Sequence, residues 1–392
     1  MMKIVTVFGT RPEAIKLAPV IGQLERHTDM FQSVVCVTAQ HRQMLDQVLH
    51  IFDIRPDHDL DIMTPGQDLF DVTCRSLERL KGVFKSESPD LVLVQGDTTT
   101  AFAASLAAYY LQIPVGHVEA GLRTHNPYNP FPEEKNRHMV GALATYHFAP
   151  TEWAKANLVR ENVDEKSIWV TGNTVIDALL TITGKLKEDD ADQKWLNYFS
   201  EKWNLLLTTD DSRLILVTGH RRESFREGFI HICRALADIA RRHPNCKIVY
   251  PVHLNPNVRK PVKKILGTDR NPGGSSSPFS NVYLIDPLEY EPFLFLMDKA
   301  YLILTDSGGI QEEAPSLAKP VLVMRNTTER PEGVQAGTSM LVGTERDSIV
   351  QGVTLLMNDS GAYQSMAQTR NPYGDGLASE RIAAILQESF DL

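Results

Sequence analysis

The chain of 392 residues has few of the features that mark a specialised protein class. It holds four cysteines, Cys36, Cys74, Cys233 and Cys246, with no C-x-x-C pair and no histidine at zinc-finger spacing. A disulfide framework and a structural zinc site therefore lack support. The thiols read as buried and free in a reducing compartment, which makes the cytoplasm the expected location. No window approaches ~18 consecutive apolar residues, so no membrane span is expected. The opening Met1-Met2-Lys3-Ile4-Val5 runs straight into a strand-like segment and lacks the zones of a signal peptide. Basic residues are outnumbered, 40 Lys and Arg against 49 Asp and Glu, for a net charge of −9. That balance disfavours a general nucleic-acid binder, yet it leaves room for a local basic pocket around an anionic small molecule. P-loop and HExxH motifs are missing. Gly374-Asp375-Gly376 lacks the preceding strand and the third glycine of a dinucleotide fingerprint. NAD, ATP and catalytic zinc thus have no sequence support, and no cofactor is expected.

What is present is ordinary globular usage, 42% apolar and 23% charged, in a length that fits two domains. Short apolar runs at residues 4–8, 34–38, 91–94, 113–118, 147–149 and 168–170 read as buried strands. Between them, Leu45, Val48, Leu49 and Phe52 recur at helical spacing, as do Leu69 and Val72, then Leu77 and Leu80. Strand–helix alternation predicts a parallel sheet with helices on both faces. The pattern weakens over 183–212, where 185–192 is dense in charge and Thr208-Thr209-Asp210-Asp211 resembles a loop; the inter-domain connection is placed in or just before this stretch. Alternation resumes with strands at 214–217, 248–252, 282–285, 302–305 and 321–324, a second doubly wound unit. The run 271–278, Asn-Pro-Gly-Gly-Ser-Ser-Ser-Pro, reads as a surface loop. Two such sheets place ligands at the carboxyl ends of their strands, so a cleft between the units is the expected site.

Polar clusters follow the predicted strands. Gly9-Thr10-Arg11-Pro12-Glu13 suits a tight turn and a helix start, with Arg11 either a donor to phosphate or carboxylate or a solvated capping residue. Gln40-His41-Arg42-Gln43 and Gln95-Gly96-Asp97-Thr98 come next, Asp97 and Thr98 both being possible caps. Glu119 follows a strand within 117–123, and Glu133 with Glu134 follows Pro132. Three carboxylates on one rim supply either acid and base groups or a solvated acidic edge. In the second half, Gly219-His220-Arg221, His253-Leu254-Asn255 and Asp306-Ser307-Gly308-Gly309 follow strands. Ser307 is placed to cap the next helix, the glycines to let a pyrophosphate approach backbone N–H groups, and Glu313 within reach of a ribose diol. Asp306-Ser307-Gly308-Gly309 also resembles a trypsin-type nucleophile loop, but that fold is all-β.

Taken together, residues 9–16, 38–42, 96–99, 116–123, 132–134, 172–177, 220–223, 251–256, 306–313, 327–332 and 371–374 resemble the non-hydrolysing UDP-N-acetylglucosamine 2-epimerases of bacteria along nearly the whole chain. The resemblance implies two Rossmann-like domains facing a cleft, the GT-B arrangement. It divides the chain into 1–178, completed by a C-terminal helix at 372–392, and a UDP-binding domain at 179–371. It also implies a cytoplasmic homodimer acting on UDP-GlcNAc and UDP-ManNAc, without nucleic-acid or membrane partners. Departures are Asn326 after Arg325, Ala318 where the family often has glycine, Lys135 within the Glu133–Arg137 run, and 271–278, which looks inserted.

The C2 proton of such a substrate is not next to a carbonyl. Inversion therefore needs transient oxidation or loss of the C1 substituent, and the missing dinucleotide and metal motifs favour the second. The family's route is elimination of UDP to 2-acetamidoglucal and re-addition. By resemblance Asp97, Glu119 and Glu133 move protons, with Lys16 near them and His220 also catalytic. Arg11, His220, Ser307, Gly308 and Gly309 suit the departing diphosphate by charge or exposed N–H groups, while Phe293 and Glu313 hold uracil and ribose. Gln40, His41, Gln43, Arg221 and His253 match positions at which a second UDP-GlcNAc activates some members. A hydrolysing relative, a GT-B glycosyltransferase and a non-catalytic nucleotide-sugar sensor are the competing readings.

Overall fold

The structure, a computed structural model, describes all residues except 40–41, 65, 208–212, 226, 268–277 and 391–392. The expected loops at 208–211 and, but for Pro278, at 271–278 therefore lie outside the described residues. The chain forms two compact units, Met1–Ala178 with Tyr373–Leu392, and Leu179–Pro372.

The first unit carries strands β1 (Met2–Phe8), β2 (Phe31–Val37), β3 (His58–Asp59), β4 (Leu91–Gln95), β5 (Val115–Val118), β6 (Tyr146–Ala149) and β7 (Ile168–Val170). They make one parallel sheet in the order β3-β2-β1-β4-β5-β6-β7. Helices α1 (Arg11–Arg26), α2 (Arg42–Ile51), α3 (Leu69–Glu87), α4 (Thr99–Tyr110), α5 (Glu133–Leu143), α6 (Glu152–Arg160) and α7 (Thr174–Leu186) follow the strands, and the division between units falls inside α7. Central strand β4 is buried along its whole length, as a parallel strand covered on both faces must be. Its Val92 and Val94 pack with Val5, Val7, Leu80, Phe84, Ala101 and Ala104 in the core.

The second unit carries α8 (Asp189–Trp203), α9 (Glu227–Arg242), α10 (Pro256–Leu266), α11 (Tyr290–Lys299), α12 (Gly308–Glu313), α13 (Pro331–Ala336), α14 (Arg346–Asn358) and α15 (Ser360–Ala367). Its strands β8 (Leu214–Thr218), β9 (Lys247–Pro251), β10 (Val282–Ile285), β11 (Leu302–Thr305), β12 (Val321–Val323) and β13 (Ser339–Leu341) form a parallel sheet in the order β10-β9-β8-β11-β12-β13. The last helix, α16 (Ala378–Ser389), belongs to the first unit. Buried Asp177 receives the Ser379 N–H at 2.7 Å and the Ser379 hydroxyl at 2.6 Å, and the Asn173 N–H donates to the Tyr373 carbonyl at 2.7 Å. Those bonds fix α16 to the start of α7.

The strand–helix alternation is as expected, and several local expectations are corrected. The weak stretch after 183 is helical: α7 continues to Leu186, and α8 follows because Phe199 and Trp203, one turn apart, are buried and stack at 5.6 Å between ring centroids. Edge strands β3 and β13, of two and three residues, were too short to leave a pattern. Three thiols are buried and held in the neutral form, Cys36 and Cys233 pushed up by burial to about 12, but Cys74 is exposed on α3. Among the described residues no helix is long and apolar enough to cross a membrane.

Ala318 closes the short turn Ala314–Leu317 with φ +57°. A side chain in that left-handed conformation costs ~1 kcal/mol or more relative to glycine. Ala318→Gly is therefore expected to raise stability by about 1 kcal/mol, read as a higher urea midpoint at unchanged slope.

Candidate functional site

At the carboxyl rim of the first sheet, the turn after β1 and the turn after β4 share one buried carboxylate. Glu13 accepts the Gly9 N–H at 3.1 Å, the Thr10 N–H at 2.8 Å, the Thr10 hydroxyl at 2.7 Å and the Thr98 hydroxyl at 2.5 Å. Burial nevertheless leaves its acid strength reduced. With Pro12 in the first turn, the Thr10–Glu13 pair starts α1 and places Lys16 one turn further on. Arg11 is half-buried at the first helical position.

Lys16 Nζ lies 2.5 Å from Glu119 Oε2, and the Gln95 amide donates to the same oxygen. Glu119 follows β5 with φ +65°, a conformation worth ~1–3 kcal/mol of strain for a residue with a Cβ. That turn carries the carboxylate back over neighbouring β4, where Oε2 lies 3.9 Å from the position of a Cβ on Gly96. Asp97 comes next in the chain. Thr98, not Asp97, is the cap of α4, accepting the Ala101 N–H. Asp97 instead accepts from Arg137 of α5, through Nε at 3.2 Å and through Nη2. Glu133 opens the same helix, and its Oε2 is buried without a hydrogen-bond partner among the described residues. Lys16 and Glu119 are thus brought together, with Asp97 one residue beyond the adjacent Gly96 and Glu133 on the helix that grips Asp97. Lys135 is exposed, so the departure there leaves the inward residues of α5 in place.

The rim of the second sheet is built separately. Buried Asp306, after β11, accepts the N–H groups of His220 at 2.7 Å and Arg221 at 2.8 Å through Oδ2, and Oδ1 lies 3.6 Å from His220 Nδ1. The His220 ring stacks on His253 at 5.3 Å. Burial lowers the His220 basicity, and Asp306 opposes this only in part, so the neutral ring is favoured. Arg221 reaches Glu329 at 3.4 Å.

Ser307 occupies the N-cap position of α12, but its hydroxyl makes no capping bond; its own N–H donates to Thr305 Oγ1 at 2.9 Å. A Cβ on Gly308 would stand 3.1 Å from Glu329 Oε1, whereas none meets anything within 4 Å at Gly309. Glu313 ends α12 buried, and Phe293 sits half-buried in the first turn of α11. Gln40 and His41 lie outside the described residues, as does the Gln43 side chain. No group of three or more His, Cys, Asp or Glu among the described residues is arranged to hold a metal ion.

Sequence reasoning gave no role to Gln95, Glu134, Arg137 or Asp306. The i, i+3 spacing of Glu134 and Arg137 was the available signal for that pair; the pairing across strands in the other two had none. Two parallel, doubly wound units, one with a rim of paired carboxylates and one with a glycine-containing loop, define a two-unit Rossmann-like class of α/β protein.

Comparison with known proteins narrows this. The sequence profile described as UDP-N-acetylglucosamine 2-epimerase matches residues 23–387. The UDP-N-acetylglucosamine 2-epimerase of Escherichia coli O157:H7 is 58% identical over 388 residues, 99% of each chain. The crystal structure of UDP-GlcNAc 2-epimerase from Neisseria meningitidis bound to UDP-GlcNAc is similar with a TM-score of 0.88 at 50% identity, covering 99% of this chain and 100% of that one. The Methanocaldococcus jannaschii UDP-GlcNAc 2-epimerase in complex with UDP-GlcNAc and UDP gives 0.77 at 33% identity, covering 99% and 100%. The chain belongs to the UDP-N-acetylglucosamine 2-epimerase family.

Behind the rim, burial lowers His117 to about 3 and His147 to about 4, against ~6.5 for an exposed imidazole. The unfolded chain therefore binds more protons than the native one from about pH 6.5 down to those values, and stability falls as pH drops through that window. Thermal melts from pH 7.5 to 5 are expected to show a falling Tm, with a shallower fall in His147→Gln.

Proposed function

We propose that the protein interconverts UDP-N-acetylglucosamine and UDP-N-acetylmannosamine by inverting C2. A carboxylate removes the C2 proton, the C–H electron pair forms the C1=C2 bond, and the C1–O pair leaves with UDP, giving 2-acetamidoglucal. The oxygen of UDP then returns to C1 while C2 takes a proton on the opposite face, so no oxidant or reductant is consumed. In this reading Asp97, Glu119 and Glu133 carry the protons, with Lys16 beside Glu119. Ser307, Gly308, Gly309 and His220 favour the diphosphate, with Arg11 a further cation, while Phe293 and Glu313 serve uracil and ribose.

The observation that carries this reading is the set of carboxylates after β4 and β5 and at the start of α5, in a chain of this family. Elimination needs groups that exchange protons with carbon, and a protein that only bound nucleotide sugar would not need Glu119 in a strained conformation beside an ammonium.

Incubation with UDP-GlcNAc in D2O, followed by NMR, is expected to give two intact UDP-sugars with deuterium at C2. Free hexosamine would mean hydrolysis, turnover only with an added acceptor would mean transfer, and no turnover would mean a sensor. Asp97→Asn, Glu119→Gln and Glu133→Gln are each expected to lower turnover by about 10²-fold or more with UDP affinity largely kept. Near-normal rates in all three would remove the assignment.

A further inference from the structure

The first turns of α5 hold more than Glu133. Asn136 Nδ2 donates to the main-chain carbonyl of Asp97 at 3.0 Å, and the next residue, Arg137, holds the Asp97 side chain. Both Arg137 contacts fall on Oδ2; Oδ1 has no hydrogen-bond partner among the described residues. Behind Arg137 stands Glu134, fully buried. It accepts Arg137 Nη1 at 3.1 Å, the Thr124 N–H at 3.1 Å and the His125 N–H at 2.9 Å. Burial disfavours the Glu134 charge, but the N–H groups and Arg137 outweigh it, and the carboxyl stays below its usual range. The guanidinium is therefore braced by a fixed anion on one side and spends its other edge on a single oxygen of Asp97. A planar fork held at two edges cannot swing.

We propose that Arg137, braced by Glu134, is a positioning residue that clamps Asp97 Oδ2 and presents Oδ1 as the oxygen that exchanges a proton with C2. The inference rests on the epimerase reading and adds to it. Asn136 fixes the main chain under the same side chain, so both the carboxylate and its backbone take their place from α5, the helix that Glu133 opens. Two of the three proton-transfer groups are thereby set by one rigid element.

The test uses the full-length enzyme and deuterium incorporation at C2. Wild type is run first: no deuterium there would defeat the epimerase reading itself, a result separate from those of the variants. Arg137→Ala is expected to lower kcat by about 10²-fold, the loss expected when a reacting group is misplaced by about 1 Å, with KM and UDP affinity near wild type. Added guanidinium is expected to recover part of the rate. Arg137→Lys, which keeps the charge and loses the fork, is expected to fall between the two, and it decides the matter if the alanine variant does not fold. A wild-type kcat in Arg137→Lys would overturn the proposal, as would an alanine variant whose lost rate neither guanidinium nor lysine restores.

Discussion

The Glu13 carboxylate sets the geometry of the first unit's rim. It joins the turn after β1 to the turn after β4, the two central strands of a seven-stranded sheet. A buried carboxylate is costly unless its lone pairs are filled, and here four donors fill them. Because the donors come from two turns, neither turn can shift without stranding the charge. Lys16 stands one turn beyond Glu13 in α1, and Asp97 immediately precedes Thr98. The tie therefore fixes a cation and a carboxylate relative to each other before any substrate group is considered.

Around that tie, each carboxylate of the rim is met by a different kind of partner. Glu119 has an ammonium and an amide, Asp97 a guanidinium fork, and Glu133 a buried oxygen with no partner among the described residues. Three like groups thus stand in unlike surroundings. The second unit follows another rule. Asp306 spends one oxygen on two main-chain N–H groups and thereby shapes the Gly219–Arg221 segment, where the His220 ring stacks on His253 and burial, against the pull of Asp306, lowers its basicity.

Most of the architecture was legible in the chain because parallel strands buried on both faces leave uninterrupted apolar runs, as at 91–94 and 302–304. Strands β3 and β13 were not, since two or three residues at a sheet edge carry no run and no alternation. Helix α8 was hidden by its charged solvent face, which masked Phe199 and Trp203. Cys74 was misread as buried because a helix shows its facing only against its neighbours.

For the site, the sequence determined which residues stand at strand ends, since strand–turn–helix order alone brings Asp97, Glu119, His220 and Asp306 to the carboxyl rims. The motif words added the family. Tertiary structure decided which of them pair. Lys16 with Glu119 and Arg137 with Asp97 are separated by 103 and 40 positions, and Gln95 reaches Glu119 across a strand pair. Such contacts follow from which strands lie side by side and from a φ of +65° at one glutamate. Both are settled by packing against the rest of the sheet, a quantity that no local window of residues contains.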